Sequence, residues 1–127
     1  MNTRTITPSG VYPPTPDYVH AVELTGHQRI VFVAGTMGLD LDGTAKPDLD
    51  HQLEMIWNNI RAILAGADMS VDNIVRLTSY LADRSYADAN GAARVTALGG
   101  RAIPTTAIVC DLLDPAWLVE IEVIAAA

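Results

Sequence analysis

One cysteine, eight basic side chains and an aromatic fraction of 6% are what this chain of 127 residues has least of. A single thiol, Cys110, excludes an internal disulfide and fits a reducing compartment. The eight Lys and Arg face fifteen Asp and Glu, giving a formal charge of −7. That sign repels a phosphate backbone, and no local cluster of Lys or Arg offsets it, so nucleic acid is not an expected partner. No apolar run approaches the roughly 18 residues of a membrane span, and Met1-Asn-Thr-Arg-Thr-Ile-Thr-Pro8 lacks the apolar stretch of a signal peptide. The expectation is a soluble cytoplasmic protein that does not engage a membrane. Phosphate loops, dinucleotide fingerprints, nucleophile elbows and zinc pairs are also missing, and Gly35-Thr36-Met37-Gly38 is too short to cradle a nucleotide. Neither a metal nor a cofactor is implied.

What is present is apolar: half of the residues are hydrophobic. The length suits one domain, residues 1–127, with a single core and apolar surface left over for association. Residues 8–17 hold four prolines and a glycine, so the first 17 residues are expected to be an extended tether or flap outside the central sheet. Tyr18–Leu24 and Arg29–Ala34 are β-prone, and Thr25-Gly26-His27-Gln28 between them predicts a hairpin. From about Asp48 to Ala67, Leu53, Ile56, Trp57, Ile60, Ile63 and Leu64 follow the three-four spacing of an amphipathic helix, with Asp48 or Asp50 at its start and Gly66 at its stop. His51 and Glu54, three apart on its polar side, lack a third ligand and read as surface residues.

Asn73–Leu81 alternates as a strand, with Val75, Leu77, Ser79 and Leu81 on one face and Ile74, Arg76, Thr78 and Tyr80 on the other. Ser85, three residues before Asp88, has near-capping-box spacing and opens a second helix to about Leu98, rich in small residues and ended by Gly99-Gly100. Two last β-branched runs, Pro104–Cys110 and Leu118–Ala125, are expected to pair. In the second, Glu120 and Glu122 share a face with Leu118 and Ile124, which suits either a half-solvated edge or a pocket wall. The order strand, strand, helix, strand, helix, strand, strand predicts an α+β domain with both helices on one face of a mixed sheet. Its other face, expected to carry Ile74, Thr78, Tyr80, Val22 and Leu24, then needs a cover, which other copies of the chain would supply.

Asp17-Tyr18-Val19, Val33-Ala34-Gly35, Asp72-Asn73-Ile74-Val75-Arg76-Leu77-Thr78 with Asp83, Asn90, Pro104 and Val119-Glu120-Ile121-Glu122-Val123-Ile124-Ala125 together resemble the RidA family, also called YjgF/YER057c/UK114. The resemblance implies a chorismate-mutase-like α+β fold and a homotrimer with a central barrel, helices outside, and ligand clefts between subunits. It implies hydrolysis of enamines or imines derived from amino acids to 2-keto acids and ammonia. The family's carboxylate-binding arginine falls at Thr106, which offers one neutral hydroxyl in place of a bidentate cation and so alters specificity. Its cysteine falls at Ile108 and its serine at Ala34. By physical role, Glu120 is the candidate to position or activate a hydrolytic water. Tyr18 would stack on or hydrogen-bond a planar substrate, and the main chain of Gly35 and Thr36 would donate to its carbonyl or carboxylate. Asn90 and Thr106 complete the substrate-binding set. Arg101 is either a replacement cation reaching the cleft from a new direction or a solvent-facing loop residue. The alternative to catalysis is a trimer that binds a metabolite or another protein without turning it over.

Overall fold

The computed structural model describes all 127 residues. The three-four apolar stripe becomes α1, Leu49–Ala65, whose first turn is capped by Asp48 accepting from the His51 amide at 2.8 Å. Leu53, Ile56, Trp57, Ile60 and Leu64 are buried from it. They pack against one face of a four-stranded mixed sheet built from β3 (Ile30–Met37), β6 (Val119–Ala126), β4 (Ile74–Leu81) and β5 (Thr105–Val109), in that spatial order. β6 runs antiparallel to both of its neighbours, and β4 and β5 are parallel. Parallel neighbours need a crossover, and α2, Ala87–Ala97, supplies it between β4 and β5. Gly99 and Gly100 end that helix with φ of 62° and 80°, a left-handed pair that only glycine adopts cheaply.

Four expectations change. The two final strands do not pair, because β4 lies between them. The predicted hairpin is absent: β2, Ala21–Thr25, pairs instead with an unforeseen β1, Asn2–Ile6, in a separate two-stranded sheet. Val22 and Leu24 therefore leave the main sheet, while residues 8–17 stay outside every strand. Ile74, expected on the open face, is fully buried, because the register of β4 against β6 slips between Ile74 and Arg76. A bulge of this kind inserts one residue and reverses the alternation on its far side. Finally, the capping interaction before α2 belongs to Asp83, which accepts from the Ser85 amide and starts a short 3-10 turn over Arg84–Tyr86; α2 itself has no side-chain cap.

One buried side chain ties the loops to this frame. Gln52 of α1 donates to the carbonyls of Lys46 and Ala116 at 2.7 and 2.9 Å and accepts from the Leu118 amide at 2.9 Å. It thereby fixes the lead-in to β6, two residues before Glu120. Gly38 permits the same close approach: a side chain there would come within 2.6 Å of the Gln52 Cα. The opposite face of the sheet stays open and carries Phe32, Ile124, Tyr80 and Ile108 among Arg76, Thr78, Thr106, Glu120 and Glu122.

Candidate functional site

Glu120 lies on the open face, opposite Met37 of β3 and Tyr80 of β4. Its carboxylate rests against bare backbone. The register of β3 slips between Val33 and Thr36, and Gly35 sits in that bulge, where a Cβ would fall only 2.8 Å from the Glu120 Cδ and closer still to Oε2. What glycine allows there is the close approach of the carboxylate, not an unusual dihedral. Thr36 turns the other way. It is buried, with its hydroxyl donating to the Ala34 carbonyl at 3.0 Å, so its side chain does not share the open face with Glu120.

Beside Glu120, the Tyr80 hydroxyl donates to Glu122 Oε1 at 2.5 Å. Deprotonation would replace that bond by repulsion, so the phenol is held above its ordinary value. Tyr80, Cys110, Glu120 and Glu122 border one small cavity of about 220 Å³. Ile108, at the family's cysteine position, is an exposed residue of the β5 edge strand.

A second and larger cleft, about 620 Å³, opens between α2 and β5. Asn90, Arg94, Asp17, Asp88, Ser79 and Thr106 border it. Asn90 is 3% exposed, yet its Oδ1 has no hydrogen-bond partner. Arg94, also buried, donates to the Asp17 carbonyl and to Asp17 Oδ2, both at 2.8 Å. The Thr15 hydroxyl and then this guanidinium stabilise the Asp17 carboxylate and hold it below the usual carboxylate range. The ion pair anchors the segment entering β2. Tyr18 follows directly, bridged to Ile103, with its ring 5.7 Å edge-on from His20. Thr106 is reached from the adjoining strand, where Arg76 donates to its hydroxyl at 2.7 Å.

The structure thus groups the sequence candidates into two sets. Gly35 and Glu120 touch on β3 and β6, while Asn90 borders the α2–β5 cleft beside the Asp17–Arg94 pair that precedes Tyr18, and Thr106, on the rim of that cleft, turns its hydroxyl to Arg76 on the open face. β6 and β5 are separated by β4, roughly 10 Å between strand axes, so one protomer does not bring the two sets into contact. Arg101 joins neither: its guanidinium donates to the Val71 carbonyl at 2.7 Å. Within the protomer it reaches neither Glu120 nor the α2–β5 cleft. His51 pairs with Asp40 at 3.1 Å, not with Glu54. Sequence reasoning assigned no role to Arg76, although the two-residue period placed it on the open face. It missed Arg94 altogether, because a lone arginine in an alanine-rich helix carries no local signal.

The sequence model of the family described as endoribonuclease L-PSP matches residues 11–127. The chain belongs to this family. It is the Rid, or YjgF/YER057c/UK114, family of the resemblance, and the chain is similar to three relatives. The Rid protein YyfB of Yersinia pestis superposes with a TM-score of 0.84 over 100% of both chains at 27% identity. Rv2704 of Mycobacterium tuberculosis, a member of the YjgF/YER057c/UK114 family, gives a TM-score of 0.68 at 28% identity, covering 87% of this chain and 86% of its own. The RutC family protein YjgH of Escherichia coli K12 is 37% identical over 54 residues, a match that spans 42% of this chain and 41% of that relative. The α+β architecture, two helices on one side of a mixed sheet, is that of the Rid structures.

Proposed function

We propose that this Rid protein is a hydrolase, of deaminase type, acting on an enamine, imine or related conjugated small molecule in clefts between the subunits of a homotrimer. The observation that carries the reading is the Glu120 carboxylate laid against Gly35. An acceptor there can take a proton from a water that attacks the C=N carbon and return it to the departing nitrogen, which leaves as ammonia with a carbonyl behind. Glu120 acts as the catalytic residue, Tyr18 packs on the conjugated plane, and Asn90 and Thr106 orient it.

Assembly is part of the proposal, because the two sets of residues lie two strands apart in one protomer and a second copy is the simplest way to close the gap. Apolar side chains on the open face and the β5 edge support it: Phe32 is 74% exposed, and Ile108 and Val109 are exposed beside the unpaired side of β5. The formal charge of −7 argues against RNA as substrate, whatever the family's descriptive name. The test is ammonia release from enzymatically generated 2-aminoacrylate and from amide-bearing enamines, with wild type beside Glu120→Ala. Loss of a general base should slow turnover by about a hundredfold or more. Equal background rates in both proteins would leave a ligand-binding trimer as the reading.

A further inference from the structure

The open face of the sheet carries two acids, Glu120 and Glu122, and a single cation, Arg76. Neither acid is spent on that cation: Glu120 rests against Gly35, and Glu122 accepts from the Tyr80 hydroxyl. Arg4, Lys46 and Arg94 each pair with a carboxylate, whereas Arg76 pairs with none. Its bond is to a neutral group, the Thr106 hydroxyl at 2.7 Å. A guanidinium has five N–H donors, so most of its capacity is left for something else. The same bond aims it. Arg76 lies opposite Ile124 and Thr106 opposite Thr78, so the guanidinium leans diagonally from β4 toward the β5 edge and is held there. Because the Thr106 oxygen accepts from Arg76, its own proton is free to donate, and the cation strengthens that donation. Two donors, one of them charged, thus stand side by side beside an exposed strand edge. Glu120 is four register positions away along the strands, roughly 13 Å, so its charge is largely screened from an anion held by Arg76.

We propose that Arg76 is the specificity-determining residue of this Rid protein: its guanidinium, seated by Thr106, binds the carboxylate of a small acid, with the Thr106 hydroxyl as second donor. Thr106 is then the seat of a cation from the next strand and not a neutral substitute for one. A carboxylate is the group selected because it accepts from both donors at once and neutralises a charge that the protomer leaves unpaired. The assignment rests on the reading of Thr106 as a substrate-binding residue, and it is independent of whether Glu120 performs chemistry.

Binding without turnover provides the test. The acid 2-oxobutanoate and its uncharged amide, 2-oxobutanamide, are titrated by ligand-observed NMR against the full-length wild type, Arg76→Gln, Arg76→Lys and the double variant Arg76→Gln/Thr106→Arg. Circular dichroism and light scattering check that each variant folds and keeps the wild-type mass. Wild type is expected to prefer the acid, and Arg76→Gln to weaken the acid by about tenfold or more while leaving the amide unchanged. Arg76→Lys keeps the charge but not the fork, and is expected to weaken the acid by several-fold. The double variant, which returns a guanidinium from β5, is expected to recover the preference. A purely structural role for Arg76 would not move the ratio of acid to amide. Should Arg76→Gln fail to fold or assemble, Arg76→Lys decides the matter. Equal binding of acid and amide by wild type, or undiminished acid binding in Arg76→Gln or Arg76→Lys, would overturn the proposal. Hydrolysis of 2-aminoacrylate that depends on Glu120 would then still stand, whereas absent hydrolysis with the Arg76-dependent preference intact would sink only the catalytic reading.

Discussion

At the scale of single residues, Gly35 separates folding from function. A methyl group added there meets the far end of the Glu120 side chain, which can swing away, whereas one added at Gly38 meets the Gln52 main chain, which cannot. Gly35→Ala should therefore keep its thermal midpoint within a few degrees while turnover, on the proposal that Glu120 is the base, falls about tenfold or more. Equal losses of stability and activity would contradict this. Asp17 gives a pH signature. Its folded carboxyl lies below the ordinary value of 3.8, so the stability it contributes is present above that value and is lost as pH falls through the lowered one. Acid titrations followed by circular dichroism should show Asp17→Asn with a shallower loss of stability below about pH 4 than wild type. Near neutrality the variant should melt only a degree or two lower, because the carboxylate is half-exposed and solvent screens the pair.

Among the elements, α1 is the one on which the others depend. Its periodicity was legible, as were Asp48 and Gly66 at its ends, because burial and capping are local instructions. Gln52 was not, since nothing in a helical pattern says that a polar residue on the apolar side will reach three main-chain groups in two loops. Gln52→Leu fills the same space but strands those groups in a dry interior, and should cost about 3 kcal/mol in urea unfolding. The strands show the same division. Alternation identified β4 and β6, but the bulges at Gly35 and after Ile74 depend on pairing with β6, and the sheet order places a chain-distant strand between β5 and β6. Pairing is a long-range outcome that a two-residue period does not encode.

For the whole molecule, the family and its fold were legible through Val119–Ala125 and the shorter stretches that share its pattern. The site was legible only as separate residues. Gly35 and Glu120 meet across β3 and β6, but Arg101 points elsewhere, and the arginine bonded to Thr106 comes from β4. Chain-distant charges found each other through packing that no linear motif records. If the open face is covered by two copies, light scattering should give three times the 13.6 kDa chain mass, and Phe32→Glu should shift the protein to monomer by burying a charge without a partner. A wild-type monomer would remove both the assembly and the shared clefts.

The Gln52 bridge also links the motions of distant parts. The Leu118 amide belongs to a loop, yet its proton is captured by a helix side chain that is itself sealed from water. Its deuterium uptake should therefore follow detachment of the helix from the sheet and not local loop fluctuation. One slow amide just ahead of Glu120 would serve as a clock for how often the floor beneath the carboxylate comes loose.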